Sequence, residues 1–361
     1  MVAQQTATIT INSLPAYHPP GSAIYVAGSF NGWNPQDEKF KMQYNNGVYT
    51  ISLKLDKGSY EYKITRGGWD KVECKKNGVG MGNRILEIEG NDTIELNIEE
   101  WQDRFPAKPG ISTASKNVKI VDTAFWIPQL KRTRRIWIYL PEGYTASTKK
   151  YPVLYMQDGQ NVFDDATSFS GEWGVDECLD SVNEKQCIVV AVDHGGNKRL
   201  TEYNPYDSDR FGKGEGDMYV DFLVKTLKPF IDKKYRTIKT KKNTFVAGSS
   251  MGGLISMYAV LKYPKVFGGA GIFSPSFWVA PPIFDEIKRK GRSVNSAIYF
   301  YAGKQEGENM VTDMLKVFEA MADKSKSKMT TVIRDDGKHT EAAWKKEFYG
   351  ALSWMLRAQS L

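Results

Sequence analysis

The sequence predicts an all-β sandwich followed by an α/β domain with a doubly wound, mostly parallel sheet. The 361 residues exceed one ordinary hydrophobic core and suit two domains. The first hundred residues hold short alternating apolar segments, whereas the remainder alternates buried strand-length runs with amphipathic stretches of helix length. We therefore assign residues 1–105 to the sandwich, 106–116 to a linker and 117–361 to the α/β domain.

The predicted strands of the sandwich are short segments of alternating apolar and polar residues, bounded by turn residues. They cover residues 8–11, 23–27, 47–55, 59–65, 84–88 and 93–98. Residues 106–116 are rich in Pro, Gly and Ser and lack periodic apolar positions, which is typical of a linker. A chain that starts near residue 116 is therefore expected to fold by itself.

Beyond the linker, apolar runs of strand length alternate with amphipathic stretches of helix length. The predicted strands cover residues 135–140, 152–157, 187–192, 243–248, 268–273, 297–301 and 329–333. The predicted helices cover residues 217–235, 253–263, 310–324 and 341–358. Strands that are apolar on both faces and alternate with helices indicate a parallel sheet covered by helices on both sides.

Charge and hydropathy exclude several classes of function. The 49 Lys and Arg against 42 Asp and Glu give a net charge of +7, but the two basic clusters, at residues 131–135 and 239–242, accompany no nucleic-acid fold signature. We interpret both clusters as a solvated rim and expect no nucleic-acid partner. No apolar run approaches the roughly 20 residues of a membrane-spanning helix, so we expect no membrane partner.

Cysteine usage indicates neither a metal site nor a disulfide framework. Cys74, Cys178 and Cys187 are an odd number without ligand spacing, so we expect no metal and no cofactor, while a Cys178–Cys187 bridge stays open. The polar Ala-Gln-Gln start directly before a strand is what signal cleavage leaves, which favours export to the periplasm or outside the cell over the cytoplasm. The sequence predicts no oligomeric state.

Residues 248–252, Gly-Ser-Ser-Met-Gly, fit the G-x-S-x-G pattern between a predicted strand and a predicted helix. A turn this sharp strains the backbone of Ser250 and leaves no room for a Cβ two residues to either side, which explains both glycines. The turn would present the Ser250 hydroxyl as a nucleophile and would put the Met251 N–H at a helix N-terminus, where it can stabilise an oxyanion. A second oxyanion donor is expected from the loop after strand 152–157, where the Gln160 amide is the best candidate.

A serine nucleophile needs a general base, and the sequence holds three histidines. His18 lies in the sandwich, and His194 follows the strand that ends at residue 192. His339 follows the last predicted strand, where the chain order Ser, acid, His places the base. The acid is expected after strand 297–301, with Glu306 as first choice, Glu308 as second and Asp313 as third.

With these residues in place, residues 116–361 resemble the esterase D-like branch of the α/β hydrolases, which contains feruloyl, acetyl xylan and siderophore esterases. The matching segments are residues 151–160, 199–205, 248–253 and 273–276, together with the Gly-x-His at residues 337–339. The resemblance implies a metal-free triad of Ser250, Glu306 and His339 in an α/β-hydrolase fold. The chain departs from the feruloyl esterases at two positions, with Glu306 in place of Asp and Asp158 in place of His.

The first domain resembles the early-set, immunoglobulin-like sandwiches that bind glycogen and starch, through residues 26–33 and 60–69. The resemblance implies that Trp33 and Trp69 stack on sugar rings while Lys63 and Asn83 hydrogen bond to hydroxyl groups. Flat aromatic faces suit the apolar face of a pyranose. The alternative is that both tryptophans are packing residues of a domain kept as a spacer or cleft wall.

Three functions follow from these patterns, two of them enzymatic and one non-catalytic. The leading hypothesis is a serine esterase that removes feruloyl or acetyl groups from plant polysaccharides or oligosaccharides, so that its partner is an ester-bearing carbohydrate. The second is a siderophore trilactone esterase. The third is a glycan-binding protein without catalysis, which the presence of Ser, acid and His in the right order disfavours.

Overall fold

The computed structural model describes residues 4–78, 80–105, 111–169, 171–182, 186–208, 212–307 and 309–358. The chain divides into two compact units, Met1–Pro109 and Gly110–Leu361. Cys74, Cys178 and Cys187 are all free. Among the described residues, no helix combines the length and the apolar character that crossing a bilayer requires.

The first unit is a β-sandwich. In the described residues its strands are β1 (Gln5–Ser13), β2 (Tyr25–Gly28), β3 (Gln43–Asn45), β4 (Val48–Leu55), β5 (Gly58–Thr65), β6 (Glu73–Cys74), β7 (Arg84–Ile88), β8 (Asp92–Asn97) and β9 (Glu100–Trp101). One sheet has the order β3-β4-β1-β8 and the other β2-β5-β7, while β6 pairs with β9. All pairs are antiparallel except β1–β8, which is parallel. The six predicted strands are present, and the three additional ones have two or three residues, too few to show an alternation.

The second unit is an α/β domain. Its strands are β10 (Val118–Ile127), β11 (Arg132–Tyr139), β12 (Val153–Met156), β13 (Ile188–Val192), β14 (Thr244–Ser249), β15 (Gly269–Phe273), β16 (Ala297–Gly303) and β17 (Lys328–Arg334). Its helices are α1 (Val175–Asp180), α2 (Arg199–Glu202), α3 (Gly216–Phe222), α4 (Lys228–Lys234), α5 (Met251–Lys262), α6 (Ile283–Lys290), α7 (Met310–Lys324) and α8 (Glu341–Ala358). A π-helical segment, Leu223–Leu227, joins α3 to α4, so the single helix predicted for residues 217–235 is one helical stretch with a π-helical centre.

The eight strands found in the described residues of this unit form one sheet, in the order β10-β11-β13-β12-β14-β15-β16-β17. β10 and β11 are antiparallel to their neighbours, and the strands from β13 to β17 run parallel. Buried hydrophobic clusters cover both faces. The predicted fold class is therefore confirmed. β10 was missed because it is an edge strand that buries few of its residues, among them Phe125 and Ile127.

The parallel strands determine where chemistry is possible. Loops that leave the carboxyl ends of β12, β14, β15, β16 and β17 meet at one edge of the sheet. The segments that follow these ends contain Gln160, Ser250, Glu306 and His339. Because the sheet is buried on both faces, it holds those loop origins rigidly.

The interpretation of residues 131–135 as a solvated rim is wrong for Arg132 and Arg134, whereas Lys131 and Thr133 are exposed. Arg132 and Arg134 lie on β11 and hydrogen bond to Glu202, whose side chain is fully buried, and Arg132 also pairs with Glu215 at 2.7 Å. A buried carboxylate requires counter-charges, and this one draws the arginines inward. The pairs fasten the segment that contains α2 to the sheet.

Part of the predicted linker is built into the second unit. Residues 106–110 lie outside the described residues, but Ser112 Oγ and the Thr113 N–H donate to the buried Asp164 carboxylate at 2.7 and 3.2 Å. The Ser115 N–H donates to the buried Asp176 at 2.7 Å. These contacts conflict with the expectation that a chain starting near residue 116 folds by itself.

We predict that a chain beginning at residue 116 is less stable than one beginning at residue 111. The shorter chain removes the Ser112 and Thr113 donors of Asp164, which keeps the Ala166 N–H, and the Ser115 donor of Asp176. Weakening the hydrogen bonding of each buried carboxyl costs about 1–3 kcal/mol. Urea unfolding of the two chains, followed by circular dichroism, measures the difference. Equal unfolding free energies would show that residues 112–115 are only a linker.

Candidate active site

Ser250 lies in the sharp turn between β14 and α5, with φ 59° and ψ −123°. A positive φ at a residue other than glycine is strained and persists only where the surroundings hold it. A Cβ on Gly248 would lie 2.8 Å from the Gly252 backbone and 2.8 Å from the Gln157 side chain. Close approach thus excludes a side chain at residue 248, as the sequence analysis predicts.

The backbone of Ser250 is tied to the strand beside it and to the segment that follows. The Ser250 N–H donates to the Phe273 carbonyl at 2.9 Å, and the Ser276 N–H donates to the Ser250 carbonyl at 3.1 Å. The Ser250 and Ser276 hydroxyls share a hydrogen bond of 3.1 Å. Among the described residues, no hydrogen bond joins the Ser250 hydroxyl to His339. Sequence reasoning gave Ser276 no role, since only a family match pointed to residues 273–276.

The structure brings Glu306 and His339 together. His339 Nδ1 lies 2.9 Å from Glu306 Oε2, and the side chains are 26% and 0% exposed, respectively. Glu308, the second choice for the acid, lies outside the described residues. Asp313, the third choice, lies on α7 and pairs with Lys316 at 3.0 Å.

Two glycines allow this pair to form. A Cβ on Gly303, the last residue of β16, would lie 2.3 Å from the Gly337 backbone. The Gln305 N–H donates to the Gly337 carbonyl at 2.9 Å, so the loops after β16 and β17 interlock. The contact holds Glu306 and His339, each two or three residues further along its loop, within hydrogen-bond reach.

The other oxygen of the Glu306 carboxylate has two donors. The Gly303 N–H donates to Oε1 at 2.6 Å, and the Ser274 hydroxyl donates to the same oxygen at 2.8 Å. Ser274 is fully buried and has a positive φ of 43°. The sequence around Ser274 does not predict this backbone conformation. The segment after β15 therefore contacts Ser250 through Ser276 and Glu306 through Ser274.

The loop after β12 places Gln160 next to the neighbouring strand. A Cβ on Gly159 would lie 2.8 Å from the Val192 backbone, which explains the glycine there. The Thr167 hydroxyl donates to the Gln160 carbonyl at 2.7 Å, and the His194 N–H donates to Gln160 Oε1 at 3.2 Å. In the described part of the chain, the backbone N–H groups of Gln160 and Met251 have no protein acceptor.

An ion pair and a buried carboxyl surround this loop. The Arg199 guanidinium donates to both Asp158 oxygens, at 2.6 and 2.8 Å. Burial opposes the charge of Arg199, but the Asp158 carboxylate outweighs it and raises the pKa of the guanidinium. Burial raises the pKa of the Glu341 carboxyl, which accepts a hydrogen bond from Asn161 Nδ2 at 3.0 Å.

The other two histidines have local partners. His194 Nδ1 accepts the Gly196 N–H at 2.9 Å, and burial lowers the pKa of the His194 imidazole. His18 lies in the first unit, where Ser22 Oγ is 2.8 Å from its Nε2. Among the described residues, neither histidine hydrogen bonds to Ser250 or Glu306.

The four residues of the first unit that were predicted to contact sugar have different surroundings in the structure. The Trp33 and Trp69 rings lie 6.2 Å apart, tilted by 44°. Lys63 is 9% exposed and donates to the Met81 carbonyl, and burial lowers the pKa of its amine. Asn83 is exposed and donates to Glu61 Oε2 at 3.2 Å. The tryptophan pair is in place, whereas the Lys63 ammonium is used internally.

Comparisons with known proteins agree with both units. Residues 127–355 match the model of the family described as "Putative esterase", and residues 19–100 match that of the pullulanase X25 domain. These matches confirm the two resemblances predicted from the sequence.

This chain is also similar to individual proteins and to a solved structure. The uncharacterized protein YbbA of Bacillus subtilis is 28% identical over 242 residues, 62% of this chain and 92% of that protein. An endo-1,4-beta-xylanase/feruloyl esterase of Xylanibacter ruminicola is 27% identical over 272 residues, 73% of this chain but 34% of that protein. The enterobactin esterase structure from Shigella flexneri has a TM-score of 0.54 and 18% identity, covering 95% of this chain and 92% of that one. The last likeness shows the fold alone.

We predict that Gly303→Ala separates Glu306 from His339. The added Cβ would meet backbone atoms of Gly337, which cannot rotate away, so the loops must move apart at a cost of about 1–3 kcal/mol. The low-field proton NMR resonance of a carboxylate-bound His339 Nδ1–H should be lost or shifted. Gly350→Ala is the control, because a Cβ there meets no atom within 4 Å. An unchanged resonance in Gly303→Ala would refute the packing argument.

Proposed function

This chain belongs to the esterase family whose model matches residues 127–355, and from that premise we propose that it is a serine carboxylic-ester hydrolase. The observation that carries the proposal is the 2.9 Å hydrogen bond between His339 Nδ1 and the buried Glu306 carboxylate. It lies at the sheet edge where the strained turn presents Ser250. Nucleophile, acid and base also follow in the chain order of this fold.

In the proposed mechanism, His339 is the general base. Glu306 Oε2 accepts a hydrogen bond from the protonated Nδ1, so the imidazole carries its lone pair on Nε2. Rotation about the Ser250 Cα–Cβ bond exchanges the Ser276 partner for His339, which then removes the hydroxyl proton. Glu306 orients the ring and stabilises the imidazolium without taking its proton.

Acyl transfer then proceeds in two steps. The Ser250 oxygen attacks the ester carbonyl carbon, and the tetrahedral oxyanion is stabilised by the N–H groups of Met251 and Gln160, which have no other acceptor among the described residues. Collapse breaks the ester C–O bond, and the alcohol leaves with the proton from His339. Water, deprotonated by His339, attacks the acyl-enzyme and releases the acid and Ser250.

The proposed substrates are feruloyl or acetyl esters of plant polysaccharides or their oligosaccharides. Support comes from the combination of units, because an esterase follows a sandwich that matches the pullulanase X25 domain. The Xylanibacter ruminicola relative carries both xylanase and feruloyl esterase in its name. In the first unit, the paired rings of Trp33 and Trp69 offer aromatic faces for a sugar.

A siderophore trilactone is the second candidate substrate. The enterobactin esterase structure covers 95% of this chain and therefore aligns with both units, whereas the feruloyl relative matches a smaller share. A glycan-binding protein without catalysis remains the third candidate, against which the Glu306–His339 pair and the strained Ser250 speak.

We predict that Ser250→Ala and His339→Ala each lower kcat for p-nitrophenyl acetate by about 10⁴-fold or more, because the nucleophile and its base act as a unit. His194→Ala is the matched control and should stay within about tenfold of wild type, since its imidazole contacts neither Ser250 nor Glu306. Circular dichroism checks that each variant is folded. Activity of Ser250→Ala within tenfold of wild type would exclude the serine mechanism.

The substrate proposal predicts faster release of ferulate or acetate from xylan than hydrolysis of a catecholate trilactone, compared as kcat/KM. Preference for the trilactone would favour the siderophore function.

If the sandwich holds glycan, the double variant Trp33→Ala with Trp69→Ala should be retained less on an insoluble polysaccharide, since each stacking contact contributes about 0.5–1.5 kcal/mol. Trp126→Ala, which removes an exposed tryptophan of the second unit, is the control. Equal retention of all variants would favour a spacer role for the sandwich.

A further inference from the structure

The buried Ser274 hydroxyl lies between an indole and the carboxylate proposed as the triad acid. Trp344 Nε1 donates to Ser274 Oγ at 2.8 Å, and Ser274 Oγ donates to Glu306 Oε1 at 2.8 Å. Both residues are buried, with 3% of Trp344 and 0% of Ser274 exposed. The three groups therefore form a short chain of hydrogen bonds away from solvent.

The direction of this chain is fixed by its donors. An indole N–H can only donate, so the Ser274 oxygen must accept from Trp344. The single hydroxyl proton of Ser274 is then available to donate to Glu306. If the hydroxyl rotated away, its hydrogen bonds with the indole N–H and with the carboxylate would both weaken. A hydroxyl polarised by one donor is also a stronger donor itself.

The two oxygens of the Glu306 carboxylate therefore have different hydrogen-bond partners. Glu306 Oε1 accepts Ser274 and the Gly303 N–H, whereas Oε2 faces His339 Nδ1 at 2.9 Å. Rotation of the carboxyl group would break all three bonds together. The Ser274–Trp344 chain thus sets the plane in which Glu306 meets the imidazole.

Trp344 also contacts the imidazole directly. Its ring meets that of His339 edge-on, with centroids 5.0 Å apart and planes at 85°, and it lies nearly parallel to Trp173 at 5.6 Å. Ser274 is held as firmly, because its N–H donates to the Tyr301 carbonyl at 2.7 Å and its backbone has a φ of 43°. Strain of this kind is kept only where the surroundings determine it.

We infer that Ser274 and Trp344 are positioning residues that hold the Glu306 carboxylate, and through it the His339 ring, in the orientation that proton transfer requires. This inference rests on the proposed function, since it assigns Glu306 and His339 their roles as acid and base. Both residues are buried, which favours an indirect role through Glu306 and His339. Their effect is on the rate of proton transfer rather than on substrate affinity.

Ser274→Ala is expected to lower kcat for p-nitrophenyl acetate by about 10- to 100-fold, the range for a hydrogen bond to a charged group, with KM unchanged within about twofold. Trp344→Phe keeps the ring but removes the N–H, and it should lower kcat by a smaller factor. Ser296→Ala is the matched control, because this buried hydroxyl donates to the Phe267 carbonyl at 2.8 Å before the start of β16. It should affect thermal stability as Ser274→Ala does and leave kcat unchanged.

A double-mutant cycle separates positioning from a structural role. In a Glu306→Gln background, which has already lost the charge to be held, Ser274→Ala should lower kcat by less than about twofold. The same factor in both backgrounds would overturn the inference, as would a Ser274→Ala kcat within twofold of wild type. Full activity of Ser250→Ala would instead refute the proposed serine mechanism, whatever Ser274→Ala does.

Discussion

The burial of one carboxylate is the constraint on which the second unit depends. Glu306 has no exposed side-chain surface, and an unpaired charge in such a place costs several kcal/mol. Its partners come from the end of β16 (Gly303 N–H), the segment after β15 (Ser274) and the loop after β17 (His339). A charge that must be satisfied therefore fixes three neighbouring strand ends relative to one another, and the parallel sheet brings those ends to one edge.

Ser250 is positioned by backbone hydrogen bonds and close packing. Ser250 is held by backbone hydrogen bonds to the Phe273 carbonyl and from the Ser276 N–H, and its strained turn needs the close packing that Gly248 permits. The structure thus holds the Ser250 backbone at the same sheet edge as the Glu306–His339 pair, while the Ser250 hydroxyl shares a hydrogen bond with Ser276. In the proposed mechanism, the Ser250 hydroxyl exchanges this Ser276 partner for His339.

In the first unit, the residues predicted to contact sugar differ in their hydrogen bonding and burial. Trp33 and Trp69 are neighbouring rings, whereas Lys63 is buried and donates to a carbonyl. A lysine committed to an internal acceptor offers little to a sugar hydroxyl. For the proposed glycan binding, the tryptophan pair and the exposed Asn83 are therefore better candidates than Lys63.

The sequence by itself determined the fold class, the six long strands of the sandwich and seven strands of the sheet, because alternation and burial are periodic along the chain. It also indicated Ser250, His339 and Glu306, since a strand–turn–helix with glycines and the order Ser, acid, His are local or linear signals. It misjudged Arg132 and Arg134, whose buried partner Glu202 lies about 70 residues away in the chain. Only the tertiary structure showed that Ser112 hydrogen bonds to Asp164 in the second unit and that Trp344 and Ser274 form a hydrogen-bond chain to Glu306. A hydroxyl or an indole has no periodic signature, and its partner is decided by which strand ends the sheet brings together.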